Sequence, residues 1–151
     1  MPVVGSLVRP ELIFSDLPAT DCRGVLRELA ERMAATGIVL DAGPLYRALL
    51  EREQLGSTGI GGGVAIPHCK LEGLAEGVLA VGIARPPVDF DAPDGKPVAV
   101  FFLVLSPDHS PAEHLQTLAR ISRWVRADGH VAALLGLEDR AAVYEYLKGS
   151  V

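Results

Sequence analysis

Glu51-Arg52-Glu53-Gln54-Leu55-Gly56-Ser57-Thr58-Gly59-Ile60-Gly61-Gly62-Gly63-Val64-Ala65-Ile66-Pro67-His68-Cys69-Lys70 is the stretch on which the reading of this chain turns. A charged helix end (Glu51, Arg52, Glu53) runs into a loop with glycine at 56, 59, 61, 62 and 63. A short apolar strand, Val64-Ala65-Ile66, then delivers Pro67 and His68. Glycine loses the most backbone freedom on folding, so a cluster of it marks a sharp turn or N–H groups in close approach to something. Pro67 fixes φ beside His68 and holds Ile66 in extended conformations. The residues alone leave two readings open: a surface turn that happens to precede a histidine, or a loop built to place one.

Three familiar glycine signatures do not fit. A phosphate-binding P-loop has Gly-x-x-x-x-Gly-Lys-Ser/Thr, whereas Gly56 to Gly61 is followed by Gly62 and Gly63. The dinucleotide fingerprint runs strand, glycines, helix, and here the order is reversed. The construction is aimed at His68 rather than at a bound nucleotide.

Working outward, Leu12-Ile13-Phe14 within residues 7 to 16 reads as a short strand entering a turn at Asp16-Leu17-Pro18. A helix follows from about Asp21 to Thr36, with Val25, Leu26, Leu29, Ala30, Met33 and Ala34 at helical spacing and Gly37 to end it. A second runs from about Pro44 to Glu53, with Asp41 or Gly43 near its start. Arg52 sits in its last turn, where a cation suits the helix dipole. Val78 to Ala84 and Val98 to Leu105 are apolar on both faces, as in central strands covered on both sides. Pro86-Pro87 is expected to break the first of these, and Asp94-Gly95 to turn tightly between them. Ser110-Pro111-Ala112-Glu113 reads as a helix start, with the helix running to about Ala127 and closed by Asp128-Gly129. Shorter helices over Val131 to Leu135 and Asp139 to Lys148 finish one domain, 1–151. The order α, α, β, β, α, α with covered strands gives an α/β sandwich.

A chain of 151 residues, 49% hydrophobic and 22% charged, is long enough to bury a proper core. Its net charge of −5 with no offsetting basic run argues against nucleic acid as a partner. No apolar run spans a bilayer, so no direct membrane insertion is expected, and Met1 to Ser6 lacks the pattern of a secretory signal. Cys22 and Cys69 stand far apart without metal-ligand spacing, which fits a reducing, cytoplasmic setting.

Of the four histidines, His109 and His130 sit beside turn residues and read as exposed and idle. His114 falls in line with Leu118, Ile121 and Val125, a helical stripe that faces the protein body. It reads either as a partly buried histidine satisfied by a neighbour or as a functional group. In the first turn of a helix the dipole favours an anion and disfavours imidazolium, so a neutral ring there can donate one hydrogen bond to a phosphoryl oxygen. Arg52 supplies fixed positive charge if its helix end folds back beside His68. Nucleophilic imidazole, donor and guanidinium together suit a phosphoryl-accepting site, with no carboxylate set for magnesium and no other metal or cofactor implied.

These residues resemble the enzyme IIA domain of the bacterial phosphoenolpyruvate-dependent phosphotransferase system, in its mannitol/fructose/nitrogen branch. The resemblance rests on Arg52-Glu53, on Leu55-Gly56-Ser57-Thr58-Gly59-Ile60-Gly61, on Val64-Ala65-Ile66-Pro67-His68, and on Glu113-His114-Leu115 with Leu118 and Ala119 beyond. It implies a mixed parallel and antiparallel β-sheet covered by α-helices on both faces. It implies that His68 accepts a phosphoryl group from a small histidine phosphocarrier, HPr or its nitrogen-type relative, with His114 beside it and Arg52 steadying the phosphate. Cys69 departs from the small residue, often glycine, usual after that histidine. Alternation along an extended chain points it away from the face His68 uses, as packing. One domain without a membrane portion looks more like the nitrogen-type regulator, which controls partner proteins, than like a sugar-specific member passing phosphate to a IIB domain. A binding module that carries no phosphate is disfavoured by His68, His114 and Arg52 together. A Cys69 hydrolase is disfavoured by adjacency on one strand.

Overall fold

The computed structural model describes residues 8–127 and 129–150, the side chain of Ser150 excepted. The readings of Met1 to Ser6, of Leu7 at the start of the first strand and of Asp128 as a helix stop lie outside these residues.

The run expected to be central is central. Strand β6 (Val98–Pro107) is buried along its whole length, and every other strand but β1 and β2 pairs with it. Its side chains alternate between two cores, as a period of two demands. Phe101, Leu103 and Leu105 face one core with α1 (Cys22–Ala35) and α2 (Ala42–Gln54). Val100, Phe102 and Val104 face the other, with Ile121 and Trp124 of α3 (Pro111–Arg126), Leu134 of α4 (His130–Leu135), and Val143 and Leu147 of α5 (Arg140–Ser150). Helices therefore cover both faces of one sheet.

The sheet is mixed and six-stranded, in the order β1-β5-β6-β3-β2 with β4 also on β6. β1 (Ile13–Leu17) runs parallel to β5 (Val78–Val88), which is antiparallel to β6. β2 (Gly59–Gly61), β3 (Val64–Ala65) and β4 (His68–Leu71) all come from the glycine stretch. The one strand expected here, over Val64-Ala65-Ile66, is present as β3, and the order is corrected by β2 and β4 on either side of it, each too brief to show its own periodicity. Gly61, Gly62 and Gly63 have φ of 87°, 68° and 82°, a run that only glycine adopts readily, and they reverse the chain between β2 and β3.

β3 and β4 lie end to end along the same edge of β6. Val64 is opposite Val100 and His68 opposite Val104, so the register is the same on both sides of Ile66-Pro67. Pro67 lacks an N–H but its carbonyl still accepts from the Val104 N–H at 3.0 Å. The histidine is therefore the first residue of a strand whose height along β6 is fixed.

The helix starts follow the sequence. Asp21 accepts from the Gly24 N–H at 2.7 Å and Asp41 from that of Gly43 at 3.1 Å, each capping its helix. Ser110 is the N-cap of α3 with Pro111 after it, but its hydroxyl makes no capping bond. Pro86-Pro87 does not end β5, which continues to Val88. Both prolines are exposed and fall where the β5–β6 register shifts, between Ile83 and Val88, so no ladder bond needs their missing N–H. Asp94-Gly95 does turn tightly, with the Gly95 N–H on the Ala92 carbonyl at 3.0 Å.

Gly82 of β5 leaves room for Leu17 of β1 and Leu29 of α1. A Cβ there would collide with Leu17 and stand 3.3 Å from Leu29 Cδ2, both fully packed. Gly82→Ala is expected to lower stability by about 1–3 kcal/mol, the usual cost of overpacking. Urea unfolding checks this, and an unchanged midpoint would show that the core has slack at that point.

Candidate phosphoryl-transfer site

Three elements converge at the sheet edge: the C-terminal end of α2, the start of β4 and the first turn of α3. They border a shallow open depression of about 370 Å³ lined by Arg52, Leu55, His68, Lys70 and His114, among others. The structure thus brings together the three residues singled out in the sequence.

His68 is half-buried and held through both nitrogens. Its Nδ1 lies 2.7 Å from the Ile66 carbonyl oxygen, which can only accept, so Nδ1 carries the proton. Nε2 is then a lone pair, and it receives the Arg52 Nε–H at 3.3 Å. A second donor of Arg52, Nη1, binds the Gly56 carbonyl at 2.8 Å, fixing the guanidinium against the chain that leaves α2. The ring's pKa lies below the ordinary histidine value. Burial is the main cause, the Arg52 charge acts in the same direction, and the Ile66 carbonyl and Glu53 oppose it. A neutral ring with its nucleophilic nitrogen facing the depression is the resting state.

His114 is 6% exposed, and its ring centroid is 5.4 Å from that of His68. Its Nδ1 meets the hydroxyl of buried Ser106 at 2.6 Å. Burial first, then the nearby His68 and Lys70, push its pKa down to about 4. The first of the two readings left open by the sequence describes the ring as it stands, and its position is compatible with the second. The ring is buried and satisfied by a neighbour, and it also stands beside His68.

Sequence reasoning missed the supports. Glu53 accepts from the Thr58 N–H at 2.8 Å and from its hydroxyl at 2.6 Å. The Thr58 carbonyl takes the Ile66 N–H at 3.0 Å, and the Ile66 carbonyl takes Nδ1–H of His68. The only hint was that Glu53 adjoins Arg52. Ser106 was signalled only as a polar residue ending an apolar run.

The glycines do not border the depression, and the Gly62 N–H is engaged by Asp94 Oδ2 at 3.0 Å, so their part is the turn. Cys69 is partly buried against the core of α1 and α2, but it also lines the depression with His68, so the expectation that alternation removes it from the site does not hold; burial pushes its thiol up to about 12. His109 is exposed as expected. His130 is not idle: its ring stacks on Trp124 at 4.8 Å, and its Nδ1 meets the Tyr146 hydroxyl at 2.7 Å. The short connection from α3 to α4 brings it back onto the same face, which local sequence does not reveal.

Residues 6–150 match the family described as phosphoenolpyruvate-dependent sugar phosphotransferase system, EIIA 2. The chain belongs to this family. It is 38% identical over 148 residues to a nitrogen regulatory protein of Bradyrhizobium diazoefficiens, covering 97% of this chain and 95% of that one. It is 31% identical over 144 residues to a fructose-specific EIIA component of Haloferax volcanii, covering 95% and 94%. The crystal structure of nitrogen regulatory protein IIA-Ntr from Neisseria meningitidis superposes with a TM-score of 0.88 at 30% identity, covering 95% of this chain and 98% of that one. This EIIA-2 family member thus has the mixed, two-sided sheet that the resemblance implied. Among its described residues no helix is long and apolar enough to cross a membrane, and no cluster of three His, Cys, Asp or Glu side chains is placed to hold a metal ion.

The depressed histidines make stability depend on pH. Unfolded His114 takes up a proton as pH falls through 6.5, whereas the folded ring stays neutral until about 4. The unfolded state therefore binds more protons within that window, and stability falls as pH falls through it. The His68 shift has the same sign. His114→Gln is expected to flatten part of this slope. A side-chain NMR titration with a His114 midpoint near the ordinary value would contradict the account.

Proposed function

We propose that this protein is a histidine phosphocarrier of the phosphotransferase system, a single enzyme IIA domain over residues 1–151, and that His68 Nε2 is its phosphoryl acceptor. The observation that carries this reading is the two-sided hold on His68. Nδ1–H is committed to a carbonyl, leaving Nε2 as an unprotonated nucleophile at the depression. The donor is the phosphohistidine of a small HPr-like carrier. As Nε2 bonds to phosphorus, the N–P bond of the carrier breaks and its ring nitrogen recovers the electron pair. His68 keeps its Nδ1 proton and becomes cationic, a charge that the Ile66 carbonyl stabilises. Arg52 Nε–H moves from the lone pair to a phosphoryl oxygen, and His114 donates to another. One phosphoramidate replaces another, so the transfer is reversible and needs no bound metal.

Leu55 and Leu115 are 85% and 66% exposed. Leu55 lines the depression, and Leu115 follows His114 on α3, so a partner protein meets apolar surface beside the histidine. We assign the protein to the nitrogen-type regulators, working in the cytoplasm, because over nearly the full length of both chains it is 38% identical to a nitrogen regulatory protein against 31% to a fructose-specific component. A phosphoryl group adds close to two negative charges to that contact surface. A partner that buries it must pair the group or bear its desolvation, so phosphorylation switches partners without refolding the chain. The match to a fructose-specific component favours a second reading, in which a IIB domain receives the phosphate for sugar uptake.

Incubation with a phosphorylated HPr-like carrier is expected to add one phosphate, lost in His68→Ala. His114→Ala should remain folded and transfer roughly a hundredfold more slowly, the typical loss for one donor aimed at developing charge. Full labelling of His68→Ala would overturn the acceptor assignment. Identical cytoplasmic partners for both phosphorylation states in pull-downs would favour transport over regulation.

A further inference from the structure

A neutral His114 has one ring N–H, and its use depends on which nitrogen bears it. Toward the depression the ring must offer a donor to stabilise a phosphoryl group; a bare lone pair there would repel the anion. The nitrogen on the other side, Nδ1, is 2.6 Å from Ser106 Oγ, and the two side chains are 6% and 4% exposed. Ser106 continues the face of β6 that carries Val100, Phe102 and Val104, so strand alternation points its hydroxyl at α3.

The Ser106 hydroxyl is buried and has one proton to place, with His114 Nδ1 the acceptor beside it. If it donates to Nδ1, that proton is satisfied and the histidine proton is left on Nε2. If instead Nδ1–H donates to Oγ, the buried hydroxyl proton loses the Nδ1 acceptor, an arrangement costly in the protein interior. The arrangement satisfying both buried groups is therefore the one that leaves His114 able to donate at its other nitrogen.

We propose that Ser106 is a positioning residue that holds His114 as the Nε2–H tautomer, and so supplies the hydrogen-bond donor for the phosphoryl group on His68. This rests on the phosphocarrier reading for its consequence, though the tautomer itself is a property of the resting protein. The contrast with His68 is chemical. There a carbonyl, which can only accept, forces the proton onto Nδ1; here a hydroxyl, which can donate, keeps it off Nδ1. Two adjacent imidazoles are thus set in opposite tautomers, one as nucleophile at Nε2 and the other as donor at Nε2.

The test uses the full chain labelled with ¹⁵N-histidine. In the unphosphorylated wild type, His114 is expected to show an unprotonated Nδ1 and a protonated Nε2, and His68 the reverse. Ser106→Ala should move the His114 signature toward Nδ1–H or a mixture. It should also slow transfer from a phosphorylated HPr-like carrier by between about tenfold and the roughly hundredfold of losing the donor outright. Ser106→Thr, which keeps the hydroxyl, should restore both. A wild-type His114 protonated at Nδ1 overturns the proposal, and this is read without any variant. So does a Ser106→Ala protein that keeps the Nε2–H signature, or one whose signature moves while transfer stays at the wild-type rate. If wild-type His68 takes no phosphate, the phosphocarrier reading falls, while the spectra of the resting protein still decide the tautomer.

Discussion

The two bonds to the His68 ring are the constraint on which the rest of this structure depends, and one helix end governs both. Arg52 reaches Nε2 directly. Glu53, the next residue, reaches Nδ1 through a relay of backbone bonds, gripping Thr58, whose carbonyl fixes Ile66, whose carbonyl fixes the ring. Consecutive helical residues point about 100° apart, so one can face the depression while the other ties down the loop. A shift of the α2 end would move both bonds together. The packing of Leu45 and Leu49 under the sheet is therefore part of the site, although neither touches it.

The opposite constraint comes from the sheet. Because β3 and β4 keep one register along β6, the height of His68 is set by the best-buried strand in the molecule. The same strand carries Ser106 and so sets His114 from behind. Two histidines from distant parts of the chain thus share one rigid reference. The sheet edge is also where a second protein can approach, since among the described residues β4 pairs with β6 and with no strand on its outer side. A site meant to exchange a group with a macromolecule belongs at such an edge rather than in a deep pocket.

Much of this was legible in the sequence because the features were local and repeated. The two-faced apolar runs announced central strands, and the stripes of α1 and α3 announced helices against them. Arg52, His68 and His114 stood out because glycine, proline and helix-start signals surrounded them. What stayed hidden was short or nonlocal. Val64-Ala65 was read as a strand, but its neighbours β2 and β4 have three and four residues, too few for any periodicity to show. Pro86-Pro87 misled because a proline's effect depends on whether its position needs a ladder bond, which only pairing reveals. Glu53, Ser106 and the stacking of His130 on Trp124 are relations between separate elements, and no local pattern encodes them.

The charge balance explains why this arrangement suits a group that must come and go. The guanidinium of Arg52 is held by a carbonyl and an imidazole nitrogen, both neutral, while the nearby carboxylate of Glu53 is occupied by Thr58. The resting depression therefore presents the Arg52 guanidinium on two neutral acceptors, Lys70 and Glu51 as further charges of opposite sign on its lining, and two imidazoles that burial keeps uncharged. A phosphoryl group on Nε2 brings close to two negative charges. On the proposed assignment the His68 ring becomes cationic on bonding to phosphorus and Arg52 supplies a second positive charge, which together offset those of the phosphoryl group. Neither state then strands a large unpaired charge at the edge of the core, where it would be costly.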